Sequence, residues 1–557
     1  MIALALAAAL LPTTPVLAQA ATPAPAASAA SAARAEPRFD LLVFAVEGDS
    51  VLGADAIERV VYPFLGPDKT VADAEAARKA LEKAYQDAGF LSVNVLLPPQ
   101  QLDASGELRL QVVQAAMAQL RVTGTQYTRP GLVREALPAL APGQVPNFNE
   151  MQQELAAYSR SSADREITPL ISAGEQPGTM AVEIKVAESL PLHASVELNS
   201  KQSLNTAAGR LESELRYDNL FQRGHALGLN WLVSPTKPEQ ANIPSLSYQL
   251  PLGGPGDRLV LAWMHSNSNT PTALGGGTVS RGTTGRLRWR DELASRDGLN
   301  HALTWGLTLR RLQDINQNVA GFTTESPPLH YSTLGLGYEL DLSGPTLGAV
   351  PGRSLHLQVD VTAGLGAWNG RTVDCNGTPK DPFDCKRSGA SPSFQTVGAS
   401  LSATEPLGRW QLMLRLQGQL ADAPLVPSEQ VVVGGQDSVR GYYEGEQAGD
   451  LGLALRTELA APSWQPLAQL TLRPLAFVDL ARVLKTGALA SEIRSAKLAS
   501  TGLSLRADTP FGLQATLSWA RVLKTTLRVD SNGSAVPLSG DGTGRQQRWD
   551  FSLRQHF

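Results

Sequence analysis

From residue 190 to the C-terminus, apolar and polar side chains alternate with a period of two. Leu192, Ala194, Val196 and Leu198 alternate with His193, Ser195, Glu197 and Asn199, and Leu211, Leu215 and Tyr217 with Arg210, Glu212, Glu214 and Arg216. Leu287 and Trp289 sit among Arg286, Arg288 and Arg290. Leu355, Leu357, Val359 and Val361 sit among His356, Gln358 and Asp360, and Trp410, Leu412, Leu414 and Leu416 among Gln411, Arg415 and Gln417. This period places one greasy and one charged face on each strand. A soluble sandwich would have to bury the charged faces unpaired. A barrel with lipid outside and water inside carries them without penalty.

Upstream the periodicity differs. Residues 37–115 read as strand, helix, helix, strand, strand. Leu41 to Val46 is apolar; Ile57, Val60, Val61 and Phe64 recur at helical spacing; Thr70 with Asp73 three residues later makes a capping-box-like start before Ala74, Ala77, Leu81, Ala84, Tyr85 and Ala88. Gly89 ends that helix, and Leu91, Val93, Val95, Leu97 and then Leu108, Leu110, Val112 give two strands. Residues 116–188 form a second small α+β unit: a strand at Leu120 to Val122, a helix capped by Asn147 and Glu150 with Met151, Leu155 and Tyr158, and a closing strand through Met180, Val182, Ile184 and Val186. An exposed sheet edge in such units can pair with an extended client strand.

Residues 1–20 read as a secretory signal, apolar from Ile2 to Leu11 with Ala18-Gln19-Ala20 as the cleavage site, although no Lys or Arg precedes Arg34. Residues 21–36 are an Ala/Pro/Ser leader. No later apolar run is long enough for a membrane helix. The chain is therefore expected to be released or inserted as a barrel. Charged residues make up only 18% of the chain, against about 25% in soluble proteins. The net charge of −4 offers no global basic surface, which argues against nucleic acid as a partner.

Cys375 and Cys385, ten positions apart in an exported chain, are expected to form a disulfide in a surface loop rather than a metal site. No H-E-x-x-H, G-x-S-x-G, P-loop or paired C-x-x-C pattern occurs, so neither an enzyme nor a cofactor is expected. The seven histidines are scattered singly and read as lumen or interface side chains.

Two short motifs stand out. Val439-Arg440-Gly441-Tyr442 sets a cation in a glycine-rich, aromatic stretch after Gly434-Gly435, and Phe477-Val478-Asp479 places a carboxylate in an apolar strand. Together they resemble the signature of the two-partner secretion transporters, the haemolysin secretion/activation family within a superfamily of POTRA-plus-barrel assembly factors. Tyr85, Gly89-Phe90 and Leu97-Pro98-Pro99-Gln100 resemble a POTRA (polypeptide-transport-associated) domain. Asn219-Leu220-Phe221 with Gly224, Tyr248 to Gly253, and the turn Thr509-Pro510-Phe511-Gly512 add to the likeness. Trp549, Phe551, Leu553 and Phe557 lie on one face of a last strand, and a terminal phenylalanine resembles the barrel-assembly signal of outer-membrane proteins.

The resemblance implies two α+β POTRA domains in the periplasm followed by an all-β transmembrane barrel of sixteen antiparallel strands. Over residues 190–557 that number leaves about 23 residues for each strand and its connection. It also implies that Arg440 enters the lumen on a folded-back loop and meets Asp479. The partners implied are a large secreted exoprotein of adhesin or cytolysin type bound through the POTRA domains, outer-membrane lipid, and the barrel-assembly machinery. Export would draw its free energy from folding of the client outside the cell. Family members often begin with a plug helix, for which residues 21–36 leave little room. The rival readings are an assembly factor or insertase of the same superfamily, which typically carries more POTRA units, a passive porin, and an outer-membrane hydrolase.

Overall fold

The protein is described from a computed structural model. It describes residues 38–48, 51–100, 105–204, 206–253, 256–267, 270–271, 278–279, 281–294, 298–312, 317–319, 322–324, 327–347, 351–368, 370, 372–375, 377–490, 492–529, 534–537 and 547–557. The expected signal (1–20) and leader (21–36) lie outside these residues. The chain divides into two compact units, residues 1–114 and 115–557.

The first unit holds strands β1 (Phe39–Leu41) and β2 (Val43–Glu47), helix α1 (Ala54–Val61), β3 (Gly66–Lys69), helix α2 (Val71–Asp87), β4 (Val93–Leu96) and β5 (Glu107–Gln114). The capping box forms at α2: the Thr70 hydroxyl accepts the Asp73 N–H, and the Asp73 carboxylate accepts the Thr70 N–H at 2.8 Å. The small face of α2, with Ala74, Ala77, Leu81 and Tyr85, is buried, as are Val93, Leu108 and Leu110. The sheet order is β2-β5-β4, with β2 parallel to β5, so among the described residues no strand pairs with the far edge of β2. The apolar stretch from Leu41 to Val46 is broken at Leu42, and β1 leaves to pair with β3. Gly66-Pro67-Asp68-Lys69 has turn-like composition, which is why the pattern gave no strand there.

The second unit begins with an α+β layer: β6 (Ala116–Thr123), α3 (Pro130–Glu135), α4 (Phe148–Arg160), β7 (Arg165–Ala173) and β8 (Thr179–Glu188), in sheet order β6-β8-β7. Asn147 caps α4, its side-chain oxygen accepting the N–H groups of Asn149 (3.0 Å) and Glu150 (3.3 Å). Met151 packs with Met117, Val133, Leu140, Val182 and Ile184. The sequence pattern did not show α3 or β7; the exposed Leu170 and Ile171 of β7 break the alternation that marks a half-buried strand.

Sixteen long antiparallel strands then close a barrel. They are β9 (Leu192–Asn199), β10 (Arg210–Leu220), β11 (His225–Val233), β12 (Asn242–Pro251), β13 (Arg258–Ser266), β14 (Gly282–Glu292), β15 (Leu299–Leu312), β16 (Leu329–Ser343), β17 (Ser354–Ala367), β18 (Gln395–Leu407), β19 (Trp410–Ala421), β20 (Leu451–Ala460), β21 (Leu470–Leu484), β22 (Ser495–Asp508), β23 (Leu513–Val522) and β24 (Gln547–His556). Trp464–Leu467 adds a short pairing at the start of β21. The alternation divides as expected: Trp263, Trp289, Leu334, Val478 and Leu503 face outward and are exposed, whereas Thr304, Thr333, Asp479 and Ser504 face inward and are buried. A band of exposed tryptophan and leucine around a whole barrel is a surface for lipid, since a soluble protein rarely leaves more than a few hundred Å² of apolar surface contiguous. Among the described residues no helix is long and apolar enough to cross a membrane.

The last strand closes on the first over five pairs, Ser552↔Asn199 to His556↔Ser195, and the Phe557 N–H donates to the Ala194 carbonyl at 2.9 Å. Phe557 itself is 75% exposed. At the end where β9 leaves the α+β layer the connections are short, such as those from Leu220 to His225 and from Asp508 to Leu513. The opposite end carries the long ones, such as those from Ala367 to Gln395 and from Ala421 to Leu451.

Candidate functional site

The connection between β19 and β20 does not stay at the rim. Its strands Val431–Val433 and Gln447–Gly449 pair as a hairpin whose tip carries Gly434 to Gly445. Val439 (0% exposed) and Tyr442 pack against Ala454, Ala481, Val483, Ala496 and Leu498 on the inner faces of β20, β21 and β22. The inner wall is apolar there, which water would disfavour and the loop covers. The tip needs glycine for shape. Gly434 has φ +108°, and a Cβ there would lie 2.7 Å from the Tyr443 carbonyl; Gly441 has φ +91°, and its Cβ would press on Ala520 and Val522.

Arg440 and Asp479 meet inside the barrel. Nε donates to Asp479 Oδ2 at 2.7 Å, Nη2 to Oδ1 at 2.8 Å, and the Arg440 backbone N–H to Oδ2 at 3.1 Å. This is a bidentate fork on a fully buried carboxylate, the strong form of the arginine–carboxylate contact. The third guanidinium nitrogen, Nη1, donates to Glu458 Oε1 at 2.6 Å, and the guanidinium carbon stands 3.6 Å from the centre of the Phe477 ring. Glu458 accepts Arg506 on its other oxygen at 2.7 Å and Arg456 at 3.1 Å. Three arginines thus enclose two carboxylates with every face of Arg440 occupied. Tyr442 secures the far side: its hydroxyl accepts the Ala499 N–H at 3.0 Å and lies 2.5 Å from the Lys524 carbonyl.

Glu458 was not singled out by sequence, nor was the aromatic platform role of Phe477. The register explains both, since Arg456 pairs with Asp479 and Glu458 with Phe477 across β20 and β21, which sets the two carboxylates on adjacent inward positions. The tip is also tied to the first strands: Lys201 reaches Asp437 (3.1 Å) and Glu212 (3.3 Å), and Gln436 donates to Ser200 at 2.8 Å.

The α+β layer of this unit is fastened to the base of the barrel. Glu188 accepts the N–H groups of Gln126 and Tyr127 at 2.6 Å and of Thr128 at 3.2 Å. Burial pushes its carboxyl up, but the Thr128 hydroxyl and these three N–H groups outweigh it and hold it below the usual range. At the end of β10, Asn219 donates to the Tyr127 carbonyl at 2.6 Å and accepts the Gly224 N–H at 2.8 Å. The Asn219-Leu220-Phe221 segment with Gly224 is therefore a joint. His193 on β9 adds a 2.8 Å contact to Asp164.

Cys375 and Cys385 are joined, with Cα atoms 5.8 Å apart, in the long connection between β17 and β18. Its short helix, α5 (Pro382–Lys386), is capped by Asp381 and buries Phe383.

Comparison with known proteins fits this architecture. The family described as haemolysin secretion/activation protein ShlB/FhaC/HecB matches residues 178–507, and the ShlB-type POTRA domain matches residues 39–115. The outer membrane transporter CdiB of Dickeya dadantii (strain 3937) is 24% identical over 390 residues, covering 68% of this chain and 65% of that protein. The outer membrane transporter CdiB of Escherichia coli O6:K15:H31 (strain 536 / UPEC) is 24% identical over 454 residues, covering 79% and 71%. The chain thus spans just under two thirds of the length of the Dickeya protein. Among solved structures, CdiB from Escherichia coli superposes with a TM-score of 0.66 at 19% identity, covering 96% of this chain and 93% of that one. BamA from Haemophilus ducreyi lacking POTRA domains 1–3 gives 0.52 at 14%, covering 94% and 100%. At these identities the likeness is one of fold.

Proposed function

We propose, from the premise that the chain belongs to the ShlB/FhaC/HecB family of haemolysin secretion/activation proteins, that it carries a large unfolded exoprotein through its barrel across the outer membrane. Residues 37–115 and 116–188 are periplasmic, and residues 189–557 span the membrane. The observation that carries this reading is the inward loop fixed by Arg440 to Asp479 and Glu458 inside a closed barrel, because a passive pore has no need of a loop held against its inner wall by a buried ion-pair network.

Capture falls to the first unit. The free edge of β2 can receive an extended strand, and beside it a groove of about 590 Å³ runs between β2 and α1, lined by Val43, Phe44, Ile57, Val61 and Tyr62. Main-chain pairing there gives affinity without demanding a sequence, and the groove selects apolar side chains. No step needs a catalytic residue or cofactor, since folding of the client outside withdraws it from the pore.

Lipid covers the outward tryptophan and leucine band, and the barrel-assembly machinery receives the last strand through Phe557. Deleting Phe557 should lower barrel abundance in the outer membrane, seen as loss of the heat-modifiable band; unchanged abundance would remove that role. The export reading is tested by seeking a large exoprotein in the neighbouring reading frame and expressing it with the chain in an outer-membrane host; the lack of one favours an assembly factor. The exoprotein should appear in the medium only when both are present. Its appearance without this chain, or its retention with it, sinks the proposal.

A further inference from the structure

At the end of the barrel away from the α+β layer, the inner wall departs from its own pattern. Inward positions carry polar or small residues along most of β15 and β16, such as Thr304, Thr333 and Gly335, but at their outer ends they become Leu312, Leu329 and Tyr331. An apolar patch facing a water-filled lumen is unfavourable unless something covers it. Two outer connections do. Phe383 of α5 sets its ring against Tyr331, with centroids 5.2 Å apart, Phe394 follows it, and Leu425 and Val426 of the β19–β20 connection complete a cluster that excludes water. The disulfide-bonded connection is expected from sequence to lie at the surface. Residues 377–380 between the cysteines are exposed, while the helix that follows turns inward over that patch.

One buried carboxylate keys these segments together. Asp450 is 0% exposed and accepts from Nη1 and Nη2 of Arg387, the latter at 2.8 Å. It also accepts the Leu425 N–H (3.0 Å), the Gln430 side chain (3.0 Å) and the Thr486 N–H (2.7 Å). Arg387 in turn donates to the carbonyls of Leu425 (2.8 Å) and Thr486 (3.0 Å). Three separate outer connections therefore converge on a single ion pair, with Glu429 binding Tyr331 (2.5 Å) and Arg310 (3.0 Å) just below.

We propose that these connections form an autoinhibitory stopper, keyed by Arg387–Asp450 and seated on Leu312, Leu329 and Tyr331, that closes the outer mouth of the resting barrel independently of the Arg440 lock. Resting on the export reading, it means that an emerging client must displace Phe383 and Leu425, and that its own apolar side chains can take their place on the patch.

Purified full-length protein in planar lipid bilayers, with no client present, tests the stopper apart from export. Phe383→Ala and Arg387→Ala should each raise the time-averaged ion conductance by about tenfold or more, the shift expected when a charged or fully buried contact is lost. Asp450→Asn should do the same, and heat-modifiable mobility will show that each barrel is folded. Adding Arg440→Ala to each should raise it further, because the loop inside the barrel is then freed as well. Wild-type conductance in folded Phe383→Ala and Arg387→Ala barrels overturns the proposal. So does a Phe383→Ala barrel that opens only once Arg440→Ala is added, because the outer seal would then not act apart from the lumen loop. Failure of export with an intact conductance response would count against the export reading and leave the stopper standing.

Discussion

Arg440→Ala and Asp479→Ala should each insert at wild-type abundance yet release at least tenfold less exoprotein into the medium. The pair is fully buried, so removing one partner strands the other charge in a poorly hydrated wall, at a cost of about 3 to 5 kcal/mol. At about 1.4 kcal/mol per tenfold, the docked state of the loop would weaken by roughly two to almost four orders of magnitude. That cost falls on the loop and not on the barrel, whose strands are closed by their own ladders. Glu458→Gln should cost less, because the fork on Asp479 survives and Gln can still accept from Nη1. Arg440→Lys supplies the charge but not the fork and should restore export only in part. The exchange Arg440→Asp with Asp479→Arg should not rescue, since Glu458 would then face a carboxylate where it now receives a guanidinium. Secretion assayed by immunoblot at matched membrane levels decides the matter. Wild-type export from both alanine variants would show that the contact has no part in transport.

The barrel was legible because its two environments are so unlike. Each strand separates lipid from water, so a period of two survives in nearly every segment, as in Leu287 and Trp289 among three arginines. The α+β units were legible where a cap or a small-residue face marked a helix, as at Thr70 and along α2, and lost where tertiary contacts overrode composition, as at Gly66-Pro67-Asp68-Lys69 and β7. In the site, the family likeness supplied Arg440 and Asp479, but Glu458 could not be read. It is one of many inward charges, and only the offset between β20 and β21 brings it to Nη1. The outer cluster was missed for a similar reason. Phe383 and Phe394 sit in a polar stretch, and their partners Leu312, Leu329 and Tyr331 look like ordinary strand residues until the inner face is known.

Removing residues 37–115 should leave an inserted barrel that exports almost nothing, a loss on the order of a hundredfold given the about 2 to 3 kcal/mol that a short stretch of strand pairing with its side-chain pockets contributes to capture. The cut is clean. The first unit ends at Gln114, where β5 closes, and β6 begins at Ala116. What remains is held from within: Glu188 binds the 126–128 turn, and Asn219 ties that turn to the barrel base. The lumen lock is built from Arg440, Glu458, Phe477 and Asp479, and the outer cluster from residues between Leu312 and Val426. A narrower version of the experiment isolates the edge itself. Proline at Val43 or Ala45 would block a docking strand on the free side of β2 or break its pairing with β5, whereas Tyr62→Ala empties one wall of the groove and leaves the sheet intact. Export that falls with Tyr62→Ala as well as with the deletion assigns capture to this face. Export at the wild-type level from the truncated barrel, at equal heat-modifiable abundance, would move capture elsewhere, with the open edge of β7 in the second α+β layer the next surface able to pair with an extended strand.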